Sequence, residues 1–382
     1  MTVYGTRPEA IKMAPIVAGL QASPHLDVTV AVTGQHREML DQVNRLFGIR
    51  PAYDLDIIAP RQTLEQITMR ALGGLGEVIR AERPNMVAVQ GDTTTSFVAA
   101  LAAFYEKIPV VHVEAGLRTS NPYSPFPEEI NRRLTSQVAT LHLAPTRTSR
   151  ANLLAENIPS ERITVTGNTV IDALLDVVAR RLPYTDERLE RVSGRRTVLV
   201  TAHRRESWGV PMARSAAAIA RLARRYTVVV WVLPAHLNPT VREVLLPPLS
   251  GLDNVIITDP LPYGEFSRLM QDSHLILTDS GGVQEEGPSL GKPVLVMRDT
   301  TERPEAVTAG TVRLVGTDDV LIEEEVGRLL DDDAHYALMA NAVNPYGDGQ
   351  AARRSVQAIE HHFGLAAAPD DFEPVAEMAA VG

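Results

Sequence analysis

His274–Met297 reads HLILTDSGGVQEEGPSLGKPVLVM. Two runs that are apolar on both faces, His274–Thr278 and Pro293–Met297, flank a helical stretch, Val283–Leu290. The pair Gly281 and Gly282 turns the chain from strand into helix. A strand with no polar face is buried on both sides, as in a parallel sheet covered by helices. Parallel neighbours need a crossover, and the helix supplies it, so this stretch is a βαβ unit. The pattern recurs upstream in Asp27–Thr33, Met86–Gln90, Pro109–Val113, Thr140–Ala144 and Arg162–Thr166. A second series runs through Thr197–Thr201, Thr227–Leu233 and Asn254–Thr258 to Thr311–Val315. Helices such as Pro8–Leu20, Glu128–Val138, Ser149–Glu156, Met212–Arg224 and Glu265–Gln271 alternate with them. The reading is an α/β fold of two Rossmann-like, doubly wound domains.

A chain of 382 residues fits two domains, at about 150 residues each. The break is expected near Asn168–Thr169, giving residues 1–168 and 169–349, with Val170–Arg181 as connecting helix and Leu182–Arg195 as a loop or short helix. The end of the chain, residues 365–382, is rich in Ala, Pro and acids from Ala366 on and reads as a frayed tail. The absence of cysteine excludes thiol catalysis, Zn–Cys sites and disulfides. A net charge of −10 without a basic run argues against a nucleic-acid partner, so an anionic ligand must be held by a local cluster. No leader pattern and no run of about 18 apolar residues is present, and a cytoplasmic location without a membrane follows by default. Lysine occurs only at 12, 107 and 292, which draws attention to Lys12, although composition bias explains the scarcity as well.

Ligands of open α/β sheets sit beyond the carboxyl ends of the strands. Asp279-Ser280-Gly281-Gly282 lies there, and free N–H groups at a helix start favour phosphate oxygens. A plain βα turn capped by Ser280 fits the same residues. Glu286, one turn on, is either a ribose ligand or a solvated helix glutamate. Gly5-Thr6-Arg7-Pro8-Glu9 follows a short apolar strand, and Pro8 suits a first helical turn. Arg7 and Lys12 then face either a diphosphate or solvent, and Arg303 is a similar cation in the second half. Asp92 and Glu114 directly follow apolar runs and are expected to be partly buried, as acid–base groups are. Glu128 stands at a helix start, where acids commonly serve the macrodipole. His203 and His236 follow strands as well, each a proton carrier or a hydrogen-bonded loop histidine. No H-E-x-x-H pair suggests a metal, and no G-x-G-x-x-G fingerprint suggests a nicotinamide cofactor.

Ten stretches resemble one family, the bacterial non-hydrolysing UDP-N-acetylglucosamine 2-epimerases. They are Tyr4–Pro15 (YGTRPEAIKMAP), Gln35–Gln42 (QHREMLDQ), Gly91–Thr95 (GDTTT), His112–Thr119 (HVEAGLRT), Tyr123–Arg132, Thr166–Leu174 (TGNTVIDAL), His203–Ser207 (HRRES), His236–Pro239 (HLNP), Leu277–Gly316 and Asn344–Gln350 (NPYGDGQ). The resemblance covers roughly residues 2–364. It implies the glycosyltransferase-B arrangement, two domains facing a cleft, with a helix in 350–364 packing back on the first domain, and a homodimer. It also implies that the chain begins a few residues into the usual first strand.

The activity implied is interconversion of UDP-GlcNAc and UDP-ManNAc, by anti elimination of UDP to 2-acetamidoglucal and re-addition, with no cofactor and no metal. It serves cell-envelope polysaccharide synthesis. In that family's terms two of Asp92, Glu114 and Glu128 form the acid–base pair, and His203 assists departure and return of UDP. Arg7, Lys12 and Arg303 surround the sugar and diphosphate. Ser280, Gly281 and Gly282 meet phosphate and Glu286 the ribose. Gln35, Arg61, Glu128, Arg204 and His236 match a second site through which the substrate activates the enzyme; Glu38 stands where some members carry Gln. A retaining nucleotide-sugar glycosyltransferase would share Ser280–Gly282 and Glu286 without needing the first-half acids. A hydrolysing 2-epimerase would release ManNAc. A silent UDP-sugar sensor would be free to lose the acids, and none is lost.

Overall fold

A computed structural model describes residues 1–374 apart from His36 and Ser120. The chain forms two compact units, residues 1–173 with 346–373, and residues 174–345. Each is a parallel sheet with helices on its connections, so the two-domain α/β reading holds.

The first unit contains β1 (Thr2–Tyr4), β2 (Val30–Val32), β3 (Tyr53–Asp54), β4 (Val87–Gln90), β5 (Val110–Val113), β6 (Leu141–Ala144) and β7 (Ile163–Val165). Their order is β3-β2-β1-β4-β5-β6-β7, and every pair is parallel. The second holds β8 (Thr197–Thr201), β9 (Val230–Pro234), β10 (Val255–Thr258), β11 (Leu275–Thr278), β12 (Val294–Val296) and β13 (Val312–Leu314), in the order β10-β9-β8-β11-β12-β13. Both sheets are doubly wound from their first strand outward. The winding reverses between β1 and β4 in one and between β8 and β11 in the other. A crevice opens at such a reversal, because adjacent crossovers lie on opposite faces.

The β-branched runs VAVQ, VVHV and LILT are buried at every position, which is why they sit in the centres of the sheets. The helices start on ordinary local signals. Thr93 caps Thr94–Tyr105 by accepting the N–H of Ser96, and Pro8 stands in the first turn of Arg7–Ala22.

Three expectations need revision. The first unit keeps the chain to Ala173 instead of 168 and takes it back from Tyr346 instead of 350. Asn168 donates its backbone N–H to the Tyr346 carbonyl at 2.7 Å, and the Asp172 carboxylate accepts the N–H groups of Ala351 and Ala352. The final helix, Ala351–His362, lies against Arg7–Ala22, with Val356 over Gly19 and Glu360 accepting from Ser23. The predicted strand Asp27–Thr33 is extended only over Val30–Val32.

The predicted frayed tail is the third revision. Phe372 is 3% exposed and donates its N–H to Val165, while Asp371 accepts the Val165 N–H and pairs with Arg150. The segment covers β7, an edge strand whose backbone groups would otherwise lack partners. One aromatic anchor suffices, and composition does not reveal it. The rest of that predicted tail, Val375–Gly382, lies outside the described residues, as does His36 of the QHREMLDQ stretch.

Candidate functional site

In the first unit the register Gln90↔Val113 sets Gly91 level with Glu114 at the carboxyl ends of β4 and β5. Asp92 and Glu114 therefore stand side by side. Glu114 has φ +60°, a conformation that costs a non-glycine residue on the order of 1–3 kcal/mol and concentrates at functional sites. Its carboxylate pairs with Lys12 and accepts from Gln90 Nε2 and, at 3.0 Å, from Asn168 Nδ2. Lys12 is thus a partner of Glu114 and not a surface cation. Asp92 is bound by Arg132, whose Nε lies 3.1 Å from Oδ2. Burial pushes the Asp92 carboxyl above its ordinary range; the Arg132 charge opposes this and the Glu114 charge adds to it.

The loop after β1 is held from beneath. Glu9 is 1% exposed and accepts the N–H groups of Gly5 (3.0 Å) and Thr6 (2.8 Å) and the Thr93 hydroxyl (2.7 Å). A methyl group on Gly5 would come within 2.1 Å of the Thr33 hydroxyl, so only glycine fits that close approach. Arg7 follows as the first residue of its helix, half-buried. Glu128 begins its helix and is half-buried. Its neighbour Glu129 is the fully buried one, bound by Arg132, Arg133 and the Thr119 N–H. Gln35 accepts from the Thr95 hydroxyl at 3.3 Å, and Arg61 is exposed.

In the second unit the register Thr278↔Thr201 sets Asp279 beside Ala202 and His203. Asp279 Oδ2 accepts the N–H of His203 (2.6 Å) and of Arg204 (2.8 Å), and Oδ1 lies 2.9 Å from His203 Nδ1. Burial disfavours the charge on Asp279, but these partners outweigh it and hold the carboxyl below its ordinary range. The exposed His236 ring stacks on His203 at 5.9 Å between centroids. Burial lowers the His236 pKa, and His203 adds to that.

The helix Gly281–Ser289 begins at both glycines of the turn. Ser280 occupies its N-cap position without a side-chain capping bond, so the helix does not use that hydroxyl. A methyl group on Gly281 would meet Arg303 Nη1 at 2.7 Å; the guanidinium lies directly over the glycine, tied by Nε to Glu285 at 2.6 Å. Gly282 stands one turn before Glu286, which is buried and accepts from Tyr263 Oη at 2.9 Å. Glu286 is therefore not the solvated glutamate that its position allows. Among the described residues no group of His, Asp and Glu is arranged to hold a metal ion, and no helix is long and apolar enough to cross a membrane.

Within the first unit the structure brings together Asp92, Glu114 and Lys12; within the second it brings together His203, Arg204 and His236, and separately Gly281 and Arg303. Sequence reading overlooked the groups that position these: Glu9, Gln90, Asn168 and Arg132 in one unit, Asp279 and Tyr263 in the other. Five of them lie within or beside quoted motifs. Tyr263 is reached only through folding, since it precedes Glu286 by a full strand.

The family profile described as UDP-N-acetylglucosamine 2-epimerase matches residues 18–360. The UDP-N-acetylglucosamine 2-epimerase of Salmonella typhimurium is 54% identical over 369 residues, spanning 95% of this chain and 98% of that protein. Among solved structures, the UDP-GlcNAc 2-epimerase of Neisseria meningitidis bound to UDP-GlcNAc is 50% identical with a TM-score of 0.84, covering 94% of this chain and 99% of that one. The S. aureus MnaA–UDP complex is 46% identical with a TM-score of 0.86, covering 98% and 99%.

Proposed function

The chain belongs to the UDP-N-acetylglucosamine 2-epimerase family, and on that premise we propose that it interconverts UDP-GlcNAc and UDP-ManNAc without hydrolysis. The route is anti elimination of UDP to 2-acetamidoglucal, followed by re-addition of UDP with the proton returned to the opposite face of carbon 2. The observation behind this reading is the pair of adjacent carboxyl groups, Asp92 and Glu114, at the carboxyl ends of β4 and β5, next to the winding reversal of the first sheet. Inversion at a carbon–hydrogen centre needs a base on one face and an acid on the other, and paired carboxyls in unlike surroundings suit that division. Asp92 is raised by burial, whereas Glu114 is bound by a cation and two amides. Glu128 completes the set from which the pair is drawn.

The second unit has the nucleotide role. Gly281 and Gly282 open a helix whose free N–H groups favour phosphate oxygens, with the Ser280 hydroxyl beside them. Glu286 accepts from the ribose hydroxyls, and Arg303 and Arg7 meet the charge of the diphosphate. His203 serves the departing and returning UDP oxygen. Gln35, Arg61, Glu128, Arg204 and His236 mediate activation by the substrate, and the working enzyme is a cytoplasmic homodimer.

The test is incubation with UDP-GlcNAc in deuterated water, with carbon 2 followed by NMR. The proposal expects UDP-ManNAc labelled with deuterium at carbon 2 and little free sugar. Release of free ManNAc would replace it with a hydrolysing epimerase. A substrate recovered without label would remove carbon-2 chemistry altogether.

A further inference from the structure

We propose that Asp279 is a positioning residue that holds His203 as the Nδ1–H tautomer, leaving Nε2 bare to take up and return a proton. The inference rests on the reading above, in which His203 serves the UDP oxygen that leaves and comes back.

The argument starts from the two oxygens of one buried carboxylate. Asp279 is 2% exposed at its side chain, and His203 is 40% exposed. Oδ2 is committed to two backbone donors, the N–H groups of His203 and Arg204. Oδ1 is buried with no hydrogen-bond donor aligned on it among the described residues, and the ring nitrogen Nδ1 lies 2.9 Å away. A buried carboxylate oxygen accepts only, so a ring nitrogen at that distance must bring the proton; lone pair against lone pair would be repulsive. Nδ1 is then protonated. In the neutral ring the lone pair falls on Nε2.

The same carboxylate fixes where the ring sits. Its grip on two successive backbone N–H groups locks the turn after β8, and the parallel register of β8 and β11 places the turn beside it. His236 covers one ring face, and the Trp208 indole donates to the His203 carbonyl at 3.3 Å. His236 Nδ1 accepts the Asn238 N–H at 3.1 Å, so His236 has no donor at that nitrogen. An anionic partner also stabilises the imidazolium formed when Nε2 takes a proton, as in other carboxylate–histidine pairs.

The geometry makes Asp279→Asn informative. The two backbone donors require an oxygen at the Oδ2 position, so the amide nitrogen must face the ring. It donates to Nδ1 and forces the opposite tautomer, Nε2–H, while shape and size are conserved. In a Ser-His-Asp triad the equivalent exchange lowers turnover by about 10⁴-fold through the wrong tautomer.

The experiment combines NMR and kinetics on the full-length protein. With ¹⁵N-histidine label and His203→Gln to assign the signal, neutral His203 should show Nδ1–H in the native protein and Nε2–H in Asp279→Asn. Turnover of Asp279→Asn should fall by about 10²-fold or more, with UDP affinity, read by calorimetry, within about threefold of native. An Nε2–H tautomer in the native protein would overturn the proposal while leaving the reading of His203 standing. Near-native turnover of Asp279→Asn, with its tautomer switched, would show the tautomer to be immaterial and overturn it as well. Near-native turnover of His203→Gln would instead remove His203 from the reaction, and the proposal with it.

Discussion

Asp92 and Glu114 show how a side chain acquires its chemistry from its neighbours. Neither carboxyl is unusual by composition. Burial raises one, and Lys12, Gln90 and Asn168 bind the other. Asp92→Asn or Glu114→Gln, each close in shape to its parent, is expected to lower turnover by about 10²-fold or more, the usual scale of lost acid–base assistance. Near-native rates for both would take them out of the reaction. Gly281 makes the complementary point, since its value lies in what it lacks. Gly281→Ala places a methyl group 2.7 Å from Arg303 Nη1, so the guanidinium must leave its position by Glu285. UDP affinity by calorimetry should drop about tenfold, or ~1.4 kcal/mol, the scale of one charged hydrogen bond. An unchanged affinity would separate Arg303 from the nucleotide.

Between elements, one carboxylate holds the N-terminus of the last helix. Asp172 accepts the N–H groups of Ala351 and Ala352. Burial nevertheless raises its pKa from 3.8 to about 6, outweighing those two bonds. The folded state therefore binds this proton more tightly than the unfolded chain does. The stabilisation is complete below pH 3.8 and is lost as pH rises through about 6. Asp172→Asn cannot ionise and its amide nitrogen cannot accept one of the two N–H groups, so its stability relative to the native protein should start lower and rise across that window, by about 3 kcal/mol at most. Denaturant titrations at pH 4 and pH 7 measure the difference; an equal gap at both would mean that Asp172 does not titrate there. This contact was illegible beforehand, because Asp172 and Ala351 are distant in sequence and neither has a distinctive pattern. Strand and helix types were legible. Boundaries moved by at most three residues, and the two-residue strand Tyr53–Asp54 left no periodic signal.

Across the whole molecule, both tryptophans, Trp208 and Trp231, lie in the second unit, and Trp231 is in its core. Tryptophan fluorescence therefore follows the unfolding of that unit, while circular dichroism follows both. If UDP binds through Ser280, Gly282 and Glu286, UDP at about a hundred times its Kd should stabilise the fluorescent unit by about 2.7 kcal/mol. The fluorescence midpoint should move upward accordingly. A shift seen by circular dichroism alone would assign the nucleotide to the first unit.

Sequence alone determined the fold class and the strand ends where polar residues deserve inspection, because doubly buried strands and glycine turns leave local marks. The ten matched stretches also pointed to the family, and most of them hold a loop at such a strand end. What only the tertiary structure decided was partnership. Lys12 with Glu114, Arg132 with Asp92, Asp279 with His203, Tyr263 with Glu286 and Phe372 on β7 are all pairings made by the tertiary fold. Those depend on how distant segments pack, and no local pattern encodes that.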